Sequence, residues 1–217
     1  MSRLQKLRNG FMPLLAVGLL ALLMVWLALA PDEARLGNLV KLVYVHGALV
    51  WVGLVTFSAA GVLGLVALVV RRPMWYHGTW AAGLAALVIW IVYIVSAMAV
   101  TGLTWGQMIA WNEPRVRATG LILVAAVVLA IVARLVDGAS ATRDFTAVVN
   151  MVMAIVPWVV VRQAEVIRHP VNPIRGSESA AIQGSYVLIV LTVAGLALTL
   201  IAWLWTGMEL RELTGSE

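Results

Sequence analysis

The chain has 217 residues, of which 63% are hydrophobic and only 12% charged. Soluble domains carry about 25% charged residues, so a surface wetted on all sides is excluded, and a mean hydropathy of +0.99 points to a membrane protein. The formal charge of +5 comes largely from arginines beside apolar runs and does not call for nucleic acid, while the lack of cysteine rules out disulfides, thiolate-bound zinc and iron–sulfur clusters within the chain.

Six apolar runs follow in chain order, near 11–30, 43–70, 79–101, 118–136, 145–161 and 185–206. Each approaches or exceeds the roughly 20 helical residues that cross about 30 Å of hydrocarbon. Backbone groups in lipid must be satisfied internally, and no period-two alternation marks a barrel, so each run is predicted to be a helix. The expected fold is all-α: a polytopic integral membrane protein with six transmembrane helices in one domain, 1–217. The first run follows Arg3, Lys6 and Arg8. Its apolar stretch exceeds the roughly 7–15 residues of a signal-peptide h-region, so it reads as a retained span. The second run is longer than one crossing needs, and its first turns, Tyr44 to Trp51, should emerge from the hydrocarbon. An Arg71-Arg72-Pro73 turn and a short loop with His77 precede the third run. A loop at 102–117 precedes the fourth, and a loop at 162–184 precedes the sixth.

Six spans put both termini on one side. Arg3, Lys6, Arg8, Arg71, Arg72, Arg134, Arg143 and Arg211 then share that side, against Arg35, Lys41, Arg115, Arg117, Arg162, Arg168 and Arg175 on the other. The bias is slight, but the first helix usually dominates and its three leading basic residues favour cytoplasmic termini. The basic residues left outside serve either an anionic ligand at the outer face or lipid headgroups and loop solvation.

His46 and His169 fall at that outer edge, while His77 falls on the inner side. An ionisable residue at the end of a span suggests function, and neutral imidazole is a common ligand of haem iron. His46 lies in Tyr44-Val45-His46-Gly47, with Val43 and Val50 on its helical face and Trp51 five residues on. His169 precedes Pro170, which biases it toward extended backbone. Taken alone, His46 is also explained as an interfacial histidine bonded to a carbonyl, and His169 as a surface histidine. The loop Thr101 to Arg117 carries Trp105, Trp111, Asn112-Glu113-Pro114, Arg115 and Arg117. Indoles favour membrane interfaces on their own account, but they also stack on porphyrins, and arginine pairs with propionates. Phosphate-binding glycine loops, Gly-x-Ser-x-Gly and His-Glu-x-x-His are all missing from the sequence, and carboxylates are nearly missing from the spans.

The order of these motifs resembles the cytochrome c maturation protein C family (haem exporter protein C), within the haem-handling superfamily that carries a tryptophan-rich "WWD" segment. Three stretches carry the resemblance: Tyr44-Val45-His46 with Trp51, Thr101-Gly102 through Trp105-Gly106 to Trp111-Asn112-Glu113-Pro114-Arg115, and Val156-Pro157 followed by Glu165 and His169. The likeness covers nearly the whole chain. The tryptophan-rich segment is shortened, Asn112-Glu113 stands where an aspartate is expected, Glu165-Val166-Ile167 replaces Glu-Trp-Trp, and Gly47 replaces a proline. These departures mark a divergent member.

The resemblance implies a non-enzymatic haem handler of cytochrome c-type biogenesis in the bacterial cytoplasmic (inner) membrane, with its site on the periplasmic face. Haem b would be the transported ligand, with His46 and His169 as axial metal ligands and Trp51, Trp105, Trp111, Arg115 and Arg168 around it. The implied partners are a membrane-anchored haem chaperone and the ATPase and membrane subunits of an ABC transporter complex, in a lipid bilayer. Two rival readings are an integral subunit of a transporter for a non-haem ligand and a non-catalytic membrane anchor for redox partners.

Overall fold

A computed structural model describes residues 3–138, 142–167, 174 and 176–214. A helical turn α1 (Arg3–Lys6) and a π-helical turn (Leu7–Phe11) lead into α2 (Met12–Leu29). Then come α3 (Val40–Val70), α4 (Pro73–Trp105), α5 (Pro114–Asp137), α6 (Asp144–Met153), α7 (Val156–Gln163) and α8 (Ala180–Thr214). Among the described residues, six helical units are long and apolar enough to cross a membrane: Arg3–Leu29, Val40–Val70, Pro73–Trp105, Pro114–Asp137, Asp144–Gln163 and Ala180–Leu213. The chain is an all-α, multi-pass membrane protein suited to a lipid bilayer.

Several boundaries differ from the sequence-predicted ones, each for a local reason. Helix α4 starts at Pro73, where a missing N–H costs nothing, so His77 lies in a helix and not in a loop. At its other end α4 runs on through Trp105. Gly106 closes it at φ 68 by donating its N–H to the Gly102 carbonyl at 3.1 Å, a left-handed cap that favours glycine. Pro114 opens α5, so Arg115 and Arg117 belong to its first turn and the true loop is only 106–113. The fifth crossing is broken after Met153, and Pro157 sits in the first turn of α7.

Helix α2 fully buries none of its residues; it packs Leu23, Trp26 and Leu27 against the core beside α8, while Leu14, Val17, Met24 and Leu29 are exposed. The interior is formed by α3 with α4 and α6, flanked by α5 and α8. Between apolar helices in lipid, small residues and hydrogen bonds set the packing. A Cβ on Gly64 would stand 2.7 Å from the Ala147 carbonyl oxygen, and one on Gly61 would collide with the Ala154 side chain. These glycines let α3 lie directly on α6. At the same level Asn150 of α6 donates its amide to the Thr79 carbonyl at 2.9 Å and to the Thr79 hydroxyl at 3.0 Å. Thr79 in turn donates to the Ala60 carbonyl at 2.8 Å. One buried relay thus joins α6, α4 and α3. Asp137, at the end of α5, accepts the Phe145 and Thr146 N–H groups and so caps α6. Arg71, in the left-handed region at φ 56, and Tyr76 both donate to Asp144, closing the turn between α3 and α4 against α6.

Overpacking at the glycine contact should be costly. Gly64→Ala is expected to destabilise the protein by roughly 1–3 kcal/mol in reversible unfolding from detergent. Gly120→Ala, where a Cβ would meet nothing within 4 Å, should not destabilise it. Equal stability of the Gly64 variant and wild type would mean that α3 and α6 separate easily.

Candidate functional site

Alternation of the helices brings the start of α3, the end of α4, the loop 106–113, the start of α5, the end of α7 and the start of α8 to one end of the bundle. His46 lies six residues into α3, ~9 Å below its start. It is half-buried, and its ring packs on Tyr93 of α4 with centroids 4.9 Å apart and planes tilted by 33°. Tyr93 packs on Trp90 at 4.8 Å, and Trp90 meets Phe57 of α3 edge-on at 5.8 Å. Trp90 is fully buried and donates its indole N–H to the Thr119 carbonyl of α5 at 3.1 Å. Gly53 makes the approach possible, since a Cβ there would come within 3.0 Å of the Trp90 ring. His46 thus stands at the top of a column of rings running up the α3–α4 contact.

The imidazole is also held by its edge. Nδ1 lies 3.4 Å from the Ser96 hydroxyl oxygen, and that hydroxyl donates to the Tyr93 carbonyl at 2.7 Å. With the Ser96 proton directed to Tyr93, this contact suits the tautomer protonated on Nδ1, which leaves the lone pair on Nε2. Gly47, next in sequence, faces the Tyr186 hydroxyl of α8, where a Cβ would come within 3.0 Å. Any side chain at position 47 would therefore press on Tyr186.

The neighbouring loop is pinned from below and presents its indole outward. Thr101 donates to the Met108 carbonyl at 2.7 Å, folding the loop back on the end of α4. Ala110 and Glu113 are fully buried, whereas Trp111 between them is 67% exposed. Trp105 is half-buried on the last turn of α4. The Glu113 carboxylate accepts the backbone N–H of Ile167 at 3.2 Å, tying this loop to the segment that follows α7. Arg115 is half-buried, is an electrostatic neighbour of the Tyr93 hydroxyl, and has its Nε buried without a hydrogen-bond partner among the described residues. Arg117 is exposed.

Of the sequence-predicted site residues, the structure sets His46 on the Tyr93 ring, brings Arg115 within electrostatic reach of the Tyr93 hydroxyl and sets Trp105 and Trp111 at the same end. Trp51 lies five residues beyond His46, about 140° round the helix. Its ring meets Trp158 of α7 edge-on at 5.8 Å. Arg168 and His169 lie outside the described residues. His77 sits at the opposite end of the bundle, buried, with Nε2 3.7 Å from a Glu212 carboxylate oxygen. Among the described residues no three His, Cys, Asp or Glu side chains group around a metal-sized space. An axial haem site needs only two protein ligands.

Sequence reasoning missed Ser96, Tyr93 and the tie made by Glu113. The first two leave a signal: Trp90, Tyr93 and Ser96 recur every three residues, polar-tipped groups along one stripe of an otherwise apolar span. Glu113 leaves none, because its partner is a backbone N–H far along the chain. Comparison with protein-family models gives no match for the chain, and comparison with curated proteins gives none.

Removing the Glu113 carboxylate should free the segment after α7 without unfolding the bundle. In hydrogen exchange, the peptide containing Ile167 is expected to exchange roughly tenfold faster in Glu113→Ala than in wild type, the loss of one charge-assisted bond. Peptides within α3 and α4 should be unchanged. Unchanged exchange at Ile167 would show that this bond holds nothing in place.

Proposed function

We propose that the chain is a haem-handling membrane protein of c-type cytochrome assembly. It binds haem b as its transported ligand at the end of the bundle that bears His46, and presents it to a membrane-anchored haem chaperone beside an ABC transporter complex. The observation that carries the reading is the His46 imidazole. It rests on the Tyr93 ring with Nδ1 beside the Ser96 hydroxyl, an arrangement in which Nε2 would be the nitrogen that meets the iron. Histidines that ligate metals almost always donate their other ring N–H to such a partner, which fixes the tautomer and raises ligand basicity.

The other groups suit a flat dianion. Haem brings an iron and two propionates, and this chain's part is to ligate, stack and pair charge. The exposed Trp111 indole offers a stacking face, and the Arg115 guanidinium, whose Nε has no hydrogen-bond partner among the described residues, offers a charge-assisted bond. His169 is the proposed second axial ligand. It follows Ile167 by two residues, and the Ile167 N–H is held by Glu113. No residue is assigned a bond-making role. In this reading the membrane is the bacterial inner membrane, the His46 end faces the periplasm, and both termini are cytoplasmic.

The site is tested by haem titration of the purified protein. His46→Ala and His169→Ala should each abolish the low-spin Soret band, while His77→Ala should behave as wild type. Arg115→Ala should weaken haem binding roughly tenfold or more, and more than Arg117→Ala does. Trp111→Ala should cause a partial loss through lost stacking. Wild-type spectra in both the His46 and His169 variants would end the bis-histidine reading.

Orientation is tested separately, and the native chain has no cysteine to interfere. Single cysteines at Arg72, Gln107 and Glu178 are exposed to an impermeant thiol reagent in intact spheroplasts. Positions 107 and 178 should label and position 72 should not. The opposite pattern would put the site in the cytoplasm.

A further inference from the structure

At the end of the bundle opposite His46, a crevice of about 80 Å³ opens between α4, α5 and α6. Its walls are mostly apolar, with Leu87, Ala130 and Met153 among them beside Thr146 and Asn150, and its rim carries Trp80, Arg134 and Arg143. The space exists because α5 offers alanines at 126, 130 and 133 where larger side chains would close it. Ala126 and Ala133 are buried, but Ala130 is exposed, so the crevice reaches the outer surface of the helix bundle. That surface faces lipid.

The rim is short of negative charge. Arg143 is half-buried, with its guanidinium 5.9 Å above the Trp80 ring. Burial, and after it the neighbouring Arg134, pushes the Arg143 pKa down from its ordinary value. The nearby carboxylate, Asp137, is already engaged by the Phe145 and Thr146 N–H groups. Neither arginine has a carboxylate in salt-bridge contact among the described residues. Among the described residues Arg134 donates to the Gly138 carbonyl. Two cations thus crown an apolar slot at the depth of the headgroups.

We infer that this crevice binds an anionic phospholipid, with the phosphate between Arg134 and Arg143 and part of one acyl chain lying over Ala130 and Leu87. The volume decides against an enclosed small molecule, which takes pockets of about 300 Å³ or more. A lipid needs to insert only part of a chain and leaves the rest in the bilayer. Basic pockets between transmembrane helices are the usual place for acidic headgroups. The inference does not depend on the haem reading, since the two sites lie at opposite ends of the bundle.

The test is native mass spectrometry of the purified full chain with dioleoyl-phosphatidylglycerol and dioleoyl-phosphatidylcholine at equal concentration. Wild type should retain the anionic lipid preferentially, and Arg134→Gln and Arg143→Gln should each reduce that preference about fivefold. Arg134 is exposed, so Arg134→Gln alone carries the test if the Arg143 variant does not fold. Ala130→Trp should reduce retention of the lipid through the acyl chain, leaving both arginines in place. Equal retention of the two lipids by wild type, or an unchanged preference in Arg134→Gln, would overturn the inference. So would displacement of the lipid by inorganic phosphate at the same concentration, which would point to a free anion.

Discussion

Asn150 of α6 donates to Thr79 of α4, and Thr79 donates to Ala60 of α3, inside a bundle whose outer surfaces are almost entirely aliphatic. Helices in lipid gain no water-exclusion energy by choosing one apolar neighbour over another, so something else must decide which faces meet. Here it is the relay together with the glycine contact of Gly61 and Gly64 against Ala147 and Ala154. The two devices divide the work. Interhelical hydrogen bonds in membranes average only about 0.6 kcal/mol, whereas forcing extra atoms into a close contact costs about 1–3 kcal/mol. Close packing is the less forgiving of the two constraints, and the directional amide fixes the rotation and register of α4 and α6 on α3.

That register reaches the other end of the protein. From Ala60 to His46 is fourteen residues of α3, roughly 21 Å, and from Thr79 to Ser96 is seventeen residues of α4, roughly 25 Å. Phe57, Trp90 and Tyr93 fill the interval with ring contacts, so the two helices arrive with His46 opposite Tyr93 and Ser96. A helix rotated by one residue, about 100°, would turn the imidazole away from Tyr93 and Ser96. The metal-ligating character proposed for His46 is therefore a property of the bundle and not of the histidine alone.

The fold was legible because lipid admits few solutions. Six apolar runs could become only helices, and among the described residues six helices long and apolar enough to cross a membrane form over those runs. The ends were read less well. Pro73, Gly106 and Pro114 are the signals that extend α4 at both ends and shorten the loop to 106–113, and hydropathy alone does not weigh them. His46 was visible as an ionisable residue near a span end, and Trp111 and Arg115 as a loop out of keeping with its surroundings. Ser96 was not, since a serine within a span is ordinary and gains meaning only from what faces it on α3. The buried Glu113 was seen in the sequence as a replacement for an expected aspartate. Its bond to the Ile167 backbone depends on how the end of α7 meets the start of α5, which no local pattern encodes.

Two ends of the bundle thus take contrasting roles. One is built from rings and a positioned imidazole, the other from arginines over an aliphatic slot. The account's central claim concerns the first, and the most direct measurement is the electron paramagnetic resonance spectrum of the ferric haem complex of the full-length protein. Ligation by two neutral imidazoles predicts a low-spin rhombic signal, which should give way to a high-spin signal or to loss of haem in the His46→Ala protein. A high-spin signal in wild type, or a low-spin signal that survives loss of His46, would contradict it.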